Sequence, residues 1–356
     1  MNNMTQKPLN QLGIKSLFLV WGAPQGSHRS ELMGAQLGAD VQHIYFTTKR
    51  GKFIAPIKYF FQTIMTIVFL VRHRYRLIFV QDPPIFAVLA VYFYSLFSKS
   101  YFIIDSHTDA LQAPFWEWTL PLHRFLEHRA ITTIVTNDQL REMIEGWGAH
   151  GFTLEDPPAQ FDIPKPTILP DSALNVVMVS TADYDEPIRE VVEAARDLED
   201  VDFYFTGDFA RSAHHQGVIE SAPENVHFTG YLREGYFALL DAADVIMCLS
   251  TEDNTFLSGD NEALWLGKPL ITSDWPVLRH YFPKGTIHID NSTAQIYQSI
   301  LDMREHLTEY KVEIQALKVE RRRDWWTRAD QLLIRIQQKM GLVSTKEQRK
   351  SPKPSK

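Results

Sequence analysis

The chain has 356 residues, 45% of them hydrophobic and 22% charged, an ordinary globular composition long enough for two cores rather than one. Its one cysteine, Cys248, excludes an intrachain disulfide framework or a cysteine-built zinc site and points to a reducing compartment. The net charge is −7, and the tail 344–356 carries five Lys/Arg and one Glu, which leaves the body at −11; an acidic body argues against nucleic acid as a partner.

The N-terminal segment MNNMTQKPLNQLGIKS has no apolar signal core, so no secretion is expected. Apolar runs rich in β-branched and aromatic residues predict strands at 16–22, 43–48, 76–82, 100–107 and 131–137. Helical patterns lie between them at 28–37, 57–73, 85–97, 119–129 and 138–147. Near-continuous apolar strands alternating with helices mean a parallel sheet covered on both faces. The run 53–71 is almost long enough to span a bilayer. It holds Pro56, Lys58 and Gln62 and has basic residues on both sides, so it reads as a helix either buried in the core or lying on a membrane surface.

Residues 156–171 contain five of the chain's 19 prolines and read as a linker. The alternation then restarts, with strands at 175–181, 201–207, 226–231, 244–250, 268–274 and 286–290. Helices fit 186–198, 234–242, 260–266 and 293–307, and a last helical stretch covers about 311–340. The polar, basic tail after 342 reads as disordered. The expected domains are a first Rossmann-like α/β domain at 14–160, a hinge at 161–172, a second at 173–310, and a helical segment at 311–341 that packs back on the first domain.

In doubly wound folds, ligands sit at the carboxyl ends of the strands. The first strand runs into Gly22, Gly26 and Arg29, a glycine-bearing turn before a helix that is not GxGxxG. The fourth ends in Asp105, His107 and Asp109, where a histidine beside carboxylates suits acid–base chemistry. In the second half Gly207 and Arg211 follow one strand, and Gly230, Tyr231 and Leu232 follow the next. Arg211 or Arg29 is a candidate phosphate-pairing cation. Ser258 and Gly259 open a helix whose first turn carries Glu262, so free amides and a carboxylate stand side by side. Such an arrangement suits a diphosphate and a sugar hydroxyl; its plainer reading is an acid placed favourably at a helix start.

With those residues in view, the chain resembles the GT-B glycosyltransferases, family 4 type, over about 15–340. NEALWLGKPLITSD (261–274) and VHFTGYL (226–232) are similar to the donor-binding half of that group. VQDPP (80–84), FIIDSHTD (102–109) and LEDPPAQF (154–161) are similar to the first half of the chitobiosyl-diphosphodolichol β-mannosyltransferase group. The resemblance implies two Rossmann-like doubly wound domains facing a central cleft. It implies Glu262 on the donor ribose, Gly230, Tyr231 and Leu232 beside the base, and His107 with Asp109 at the reacting centre. It also implies transfer from a nucleoside diphosphate sugar to a glycan or lipid-linked acceptor, without a metal or other cofactor. The expected location is cytoplasmic, peripheral at the inner membrane face through 53–76 and the basic tail. The chain departs from the family pattern at Asn254, where a second glutamate is usual. That departure keeps two alternatives: a nucleotide-sugar epimerase of similar fold, or a catalytically silent sugar-nucleotide-binding subunit.

Overall fold

The structure, a computed structural model, describes residues 7–23, 28–47, 51, 53–163, 165–211, 215–232, 234–253 and 256–342. Gly26, Asn254 and the basic tail lie outside the described residues. The chain divides into two compact units, one of residues up to 158 with those from 323 onward, the other of residues 159–322.

The first unit is built on six parallel strands in the order β2-β1-β3-β4-β5-β6: β1 Ser16–Val20, β2 Asp40–His43, β3 Leu77–Asp82, β4 Tyr101–Ser106, β5 Thr133–Val135 and β6 Gly151–Thr153. Its helices are α1 His28–Leu37, α2 Ile54–His73, α3 Ile85–Phe97, α4 Thr108–Gln112, α5 Leu120–Glu127 and α6 Asp138–Gly146. Because side chains alternate along a strand, each strand feeds two cores. Phe18, Val20, Leu77, Phe79 and Ile103 pack on one side with Met33 and Leu37 of α1. Leu17, Leu19, Ile78, Val80 and Ile104 pack on the other with Leu70 of α2 and Val88 and Val91 of α3.

The second unit repeats the plan with the strand order β12-β11-β10-β7-β8-β9: β7 Leu174–Met178, β8 Val201–Thr206, β9 Val226–Gly230, β10 Val245–Cys248, β11 Leu270–Ser273 and β12 Thr286–Ile289. All five pairings are parallel. Between the strands run α7 Ile188–Ala195, α8 Gln216–Glu220, α9 Tyr236–Ala242, α10 Ser258–Leu266 and α11 Pro276–Tyr281, with α12 Thr293–Glu305 after the last strand. The long α13, Leu307–Met340, changes unit between 322 and 323. Its later part sets Trp325, Ala329, Leu332 and Ile336 into the first unit's core beside Phe18 and Phe79.

Several expected elements shift. The strand expected at 43–48 lies at 40–43, because β1 ends at Val20 and the last bond it supplies is Val20 C=O accepting from Ile44 N–H. Tyr45 and Phe46, strand formers by propensity, therefore stand half exposed outside the sheet. The short β6, α4, α8 and α11 have no counterpart in the sequence reading, since three to six residues are too few to show a period. The final helix starts at 307, four residues before the expected 311.

Candidate active site

Each sheet has one place where the strand order reverses: between β1 and β3 in the first unit, and between β7 and β10 in the second. Crevices at such reversals are where open α/β sheets take ligands.

In the second unit α10 begins at that point. A Cβ on Gly259 would stand 2.8 Å from Cys248 Sγ at the end of β10 and 2.8 Å from Val179 just beyond β7. Only glycine lets the helix start press so close to the sheet. The N-cap, Leu257, has extended backbone and gives no side-chain cap, so the first-turn amides of Ser258 and Gly259 are not closed off by a capping side chain. Asp260 is fully buried; burial pushes its carboxyl up to about 8, with the nearby Thr272 hydroxyl opposing, so it is neutral at pH 7. Glu262 is half buried, and its Oε2 accepts from Tyr236 Oη at 2.6 Å. Burial raises the Glu262 pKa, and the Tyr236 bond opposes that rise. Tyr236 is the first residue of α9, delivered by Gly235 at φ +86°.

Neighbouring loops close round the same strand ends. Gly207, at φ +108°, lies against the backbone of Ser180, whose carbonyl oxygen would be 2.7 Å from an added Cβ. Glu186 caps the β7–α7 loop, accepting from the backbone N–H of Thr181 (2.8 Å) and Asp183 (3.2 Å) and from Ser180 Oγ (2.5 Å). The amides of that loop are thus taken by the chain's own carboxylate, whereas those at the start of α10 beside it meet no capping side chain. Ser250 Oγ donates to Asp185 at 2.6 Å, fastening the loop to the end of β10. Gly230 closes β9 at φ +71°, Tyr231 beyond it is 71% exposed, and Leu232 is half buried. Arg211 falls in the short 3₁₀ turn Phe209–Arg211.

In the first unit the ends of β3 and β4 carry Asp82 and Asp105, both fully buried. Arg29, from α1, reaches Asp105 Oδ1 at 3.2 Å, bonds Asp156, and donates to the Leu154 carbonyl at 2.9 Å. Burial works against the guanidinium charge, but Asp105 and Asp156 outweigh it and hold the pKa above its usual value. Burial likewise disfavours the Asp105 carboxylate, yet Arg29 and His107 bring it down to about 2. The structure therefore assigns Arg29 to two carboxylates of its own unit, although the sequence offered it as a phosphate partner. Gly22, just after β1, is half buried with room for a side chain.

His107 is the N-cap of α4; its backbone N–H donates to the Asp82 carbonyl at 2.8 Å, and its Nε2 lies 3.6 Å from Asp105 Oδ2. Asp109 is exposed in the first turn of α4. The carboxylate beside the imidazole is thus Asp105, two residues back along the strand, whose side chain shares the buried interior with Arg29. Behind it Asp82 Oδ2 stands 3.2 Å from His123 Nδ1, and Glu127 Oε1 stands 3.9 Å from the same nitrogen.

Sequence reasoning had singled out Glu262, Gly259 and Ser258, and these do meet at the reversal of the second sheet. It missed Tyr236, Asp260 and Glu186, and in the first unit Asp82, His123, Glu127 and Asp156. A signal existed for Asp82, which ends an apolar strand before two prolines. None existed for His123 or Tyr236, whose partners lie 41 and 26 positions away.

No protein-family model matches the sequence, and no curated protein matches it. Solved structures do. HepE of Anabaena, crystallised with UDP and glucose, superposes with a TM-score of 0.65 at 16% identity, covering 90% of this chain and 98% of that one. Sucrose-phosphate synthase of Thermosynechococcus elongatus gives 0.67 at 13% identity, over 92% and 100%. A putative UDP-N-acetylglucosamine 2-epimerase from Listeria monocytogenes gives 0.65 at 12%, over 92% and 97%. The chain has the GT-B fold. At these identities the likeness concerns the backbone, and within the GT-B frame the chemistry rests on this chain's own side chains.

Proposed function

We propose that the protein is a glycosyltransferase that moves a sugar from a nucleoside diphosphate sugar to a glycan precursor. The observation that carries this reading is Glu262: a half-buried carboxylate one turn inside a helix whose uncapped start is pressed by Gly259 onto the sheet reversal. The α10 amides would hold the diphosphate and stabilise the charge it gains as its bond to the anomeric carbon breaks. Glu262, aligned by Tyr236, would accept the ribose hydroxyls. The acceptor hydroxyl attacks the anomeric carbon, the nucleoside diphosphate leaves, and the hydroxyl proton passes to a base, for which His107 beside Asp105 is the candidate. The UDP-bound and UDP-glucose-bound crystals of HepE support a uridine nucleotide as the first donor to try.

The finer reading is a hexosyltransferase of the family 4 type, working without a metal on a lipid-linked polysaccharide precursor and placed peripherally at the inner membrane face. The electrostatic reason for dispensing with a metal is that amides at a helix start act on the leaving group without one; unchanged turnover in chelator is the expected result.

Calorimetric titration of a panel of nucleotide sugars into the parent and Glu262→Ala tests the donor site. A carboxylate hydrogen-bonded to ligand contributes about 1.5–3 kcal/mol, so the variant should bind its donor roughly ten- to a hundredfold more weakly. Equal affinity for every donor the parent binds would remove the assignment. The fold shared with the Listeria epimerase favours one rival, an epimerase, which would convert donor incubated alone into an isomer. Donor bound but left intact with every acceptor would instead indicate a silent binding subunit, the reading that Asn254 keeps in play.

A further inference from the structure

We infer that the first unit carries a built lipid-docking face, on which α2 lies in the plane of an anionic bilayer surface without crossing it. This deepens the membrane part of the reading above, and its test uses no transfer activity.

Among the described residues α2 is the one helix long and apolar enough to cross a membrane, yet one side of it is fastened to the protein. Gln62, fully buried, donates to the Ile44 carbonyl at 2.9 Å. Thr66, also fully buried, accepts from the Trp21 indole N–H at 2.8 Å, and Tyr94 Oη donates to the Leu70 carbonyl at 3.1 Å. A spanning helix would give up all three bonds and leave the indole and the amide without partners in hydrocarbon.

The opposite side is the reverse of a normal amphipathic helix. Phe53, Ile57, Phe60, Ile64, Val68 and Val71 recur every three or four residues, and every one of them is exposed, Phe53 to 92% and Phe60 to 62%. The stripe continues across neighbouring elements through ring contacts: Tyr59 on Phe86 (5.0 Å), Phe86 on Trp118 (6.1 Å) and Tyr92 on Phe125 (5.6 Å). At its far margin Phe97 is 91% and Trp118 67% exposed. A continuous apolar patch of this extent is a docking surface.

Charge selects the occupant. Between residues 53 and 104 the one acid is Asp82, which is fully buried, while Lys58, Arg72, Arg74, Arg76 and Lys99 are all Lys/Arg. Glu117 is exposed at the margin beside Trp118, yet these five Lys/Arg outweigh it, so a chain of net charge −7 gathers net positive charge around this apolar stripe. A second copy meeting it stripe to stripe would set these cations against their own kind, whereas a bilayer of anionic lipid offers apolar and anionic surface together.

The test is sedimentation of the full chain with phosphatidylcholine vesicles, with and without an equal part of phosphatidylglycerol, and size-exclusion chromatography alongside. The parent should pellet with the anionic vesicles, and less so as salt rises. Phe60→Glu with Val68→Glu, at exposed positions that leave the buried side intact, should weaken binding at least about tenfold. Arg72→Glu with Lys99→Glu should remove the preference for anionic lipid. Lys350→Glu with Lys353→Glu in the tail should change binding far less than either. The inference is overturned if the parent stays in the supernatant, if the face variants pellet like the parent, if the tail variant alone abolishes binding, or if the stripe variant splits a dimer that never pellets.

Discussion

Asp82→Asn is the substitution whose outcome the structure fixes most tightly. Asp82, His123 and Glu127 are each 1% exposed or less. Burial pushes Asp82 up to about 8, with the Asp105 charge adding and a Ser106 hydrogen bond opposing. Burial, then the charge of Asp82, raises Glu127 to about 8, while burial lowers His123 to about 4. By these shifts the folded cluster at neutral pH is a neutral imidazole beside two protonated carboxyls, with Asp82 Oδ2 3.2 Å from Nδ1. The sign follows from proton counting. Between pH 6.5 and 8 the folded chain holds two protons here that the unfolded chain has released, so stability falls as pH rises through the window. A whole extra proton costs about 1.4 kcal/mol per pH unit, and half of that at pH 8 where the folded carboxyls are half ionised, so the pair removes on the order of 3 kcal/mol over the window and Asp82 about half of that. The asparagine side chain cannot ionise, and it matches the carboxyl closely in shape. Urea unfolding of parent and variant at steps across that window should show the variant losing about 1.5 kcal/mol less. The difference between the two proteins is the readout, because Asp260, raised to about 8 in the other unit, slopes the same way in both. Equal slopes in the two proteins, with the variant destabilised by about 3–5 kcal/mol at every pH, would show an imidazolium–carboxylate pair and refute the reasoning. An NMR titration placing His123 above its ordinary 6.5 would say the same.

Gly259→Ala should destabilise the second unit by about 1–3 kcal/mol and weaken donor binding together, because its methyl meets Val179 and Cys248 Sγ at 2.8 Å; calorimetry with and without nucleotide reads both effects. Asp105→Asn should cost about 3–5 kcal/mol by leaving the buried Arg29 with Asp156 alone. Asp105 has its folded pKa depressed from 3.8 to about 2, so the stability it gives is present above 3.8 and lost as pH falls toward 2; acid unfolding of the variant should lack that part of the slope.

Most of the architecture was written locally. Eleven strands were expected and each lies at or beside its place, because a parallel strand buried on both faces must be apolar throughout and short runs such as LIFVQ and VIMC have few other uses. The ends were less legible: β2 stops where β1 stops, a limit set by a partner strand and absent from the run HIYFTT itself. Gly259 and Glu262 were visible because helix starts have a local chemistry of small residues, acids and free amides. The segment 53–71 shows the limit of such reading. Its apolarity was plain, but which side of it would be free depended on Gln62 and Thr66 finding Ile44 and Trp21.

Sequence alone therefore determined the alternation, the two sheets and the residues at their carboxyl ends, since hydrophobic period and turn chemistry act within a few residues. Tertiary structure decided the pairing of charges: Arg29 with Asp105 and Asp156, His107 beside Asp105 with Asp109 left outside, and Glu262 bonded to Tyr236. Those choices depend on distances in space and on how far water is excluded. Neither is a property of any short stretch of chain, because burial multiplies the strength of a charge only after distant segments have closed around it.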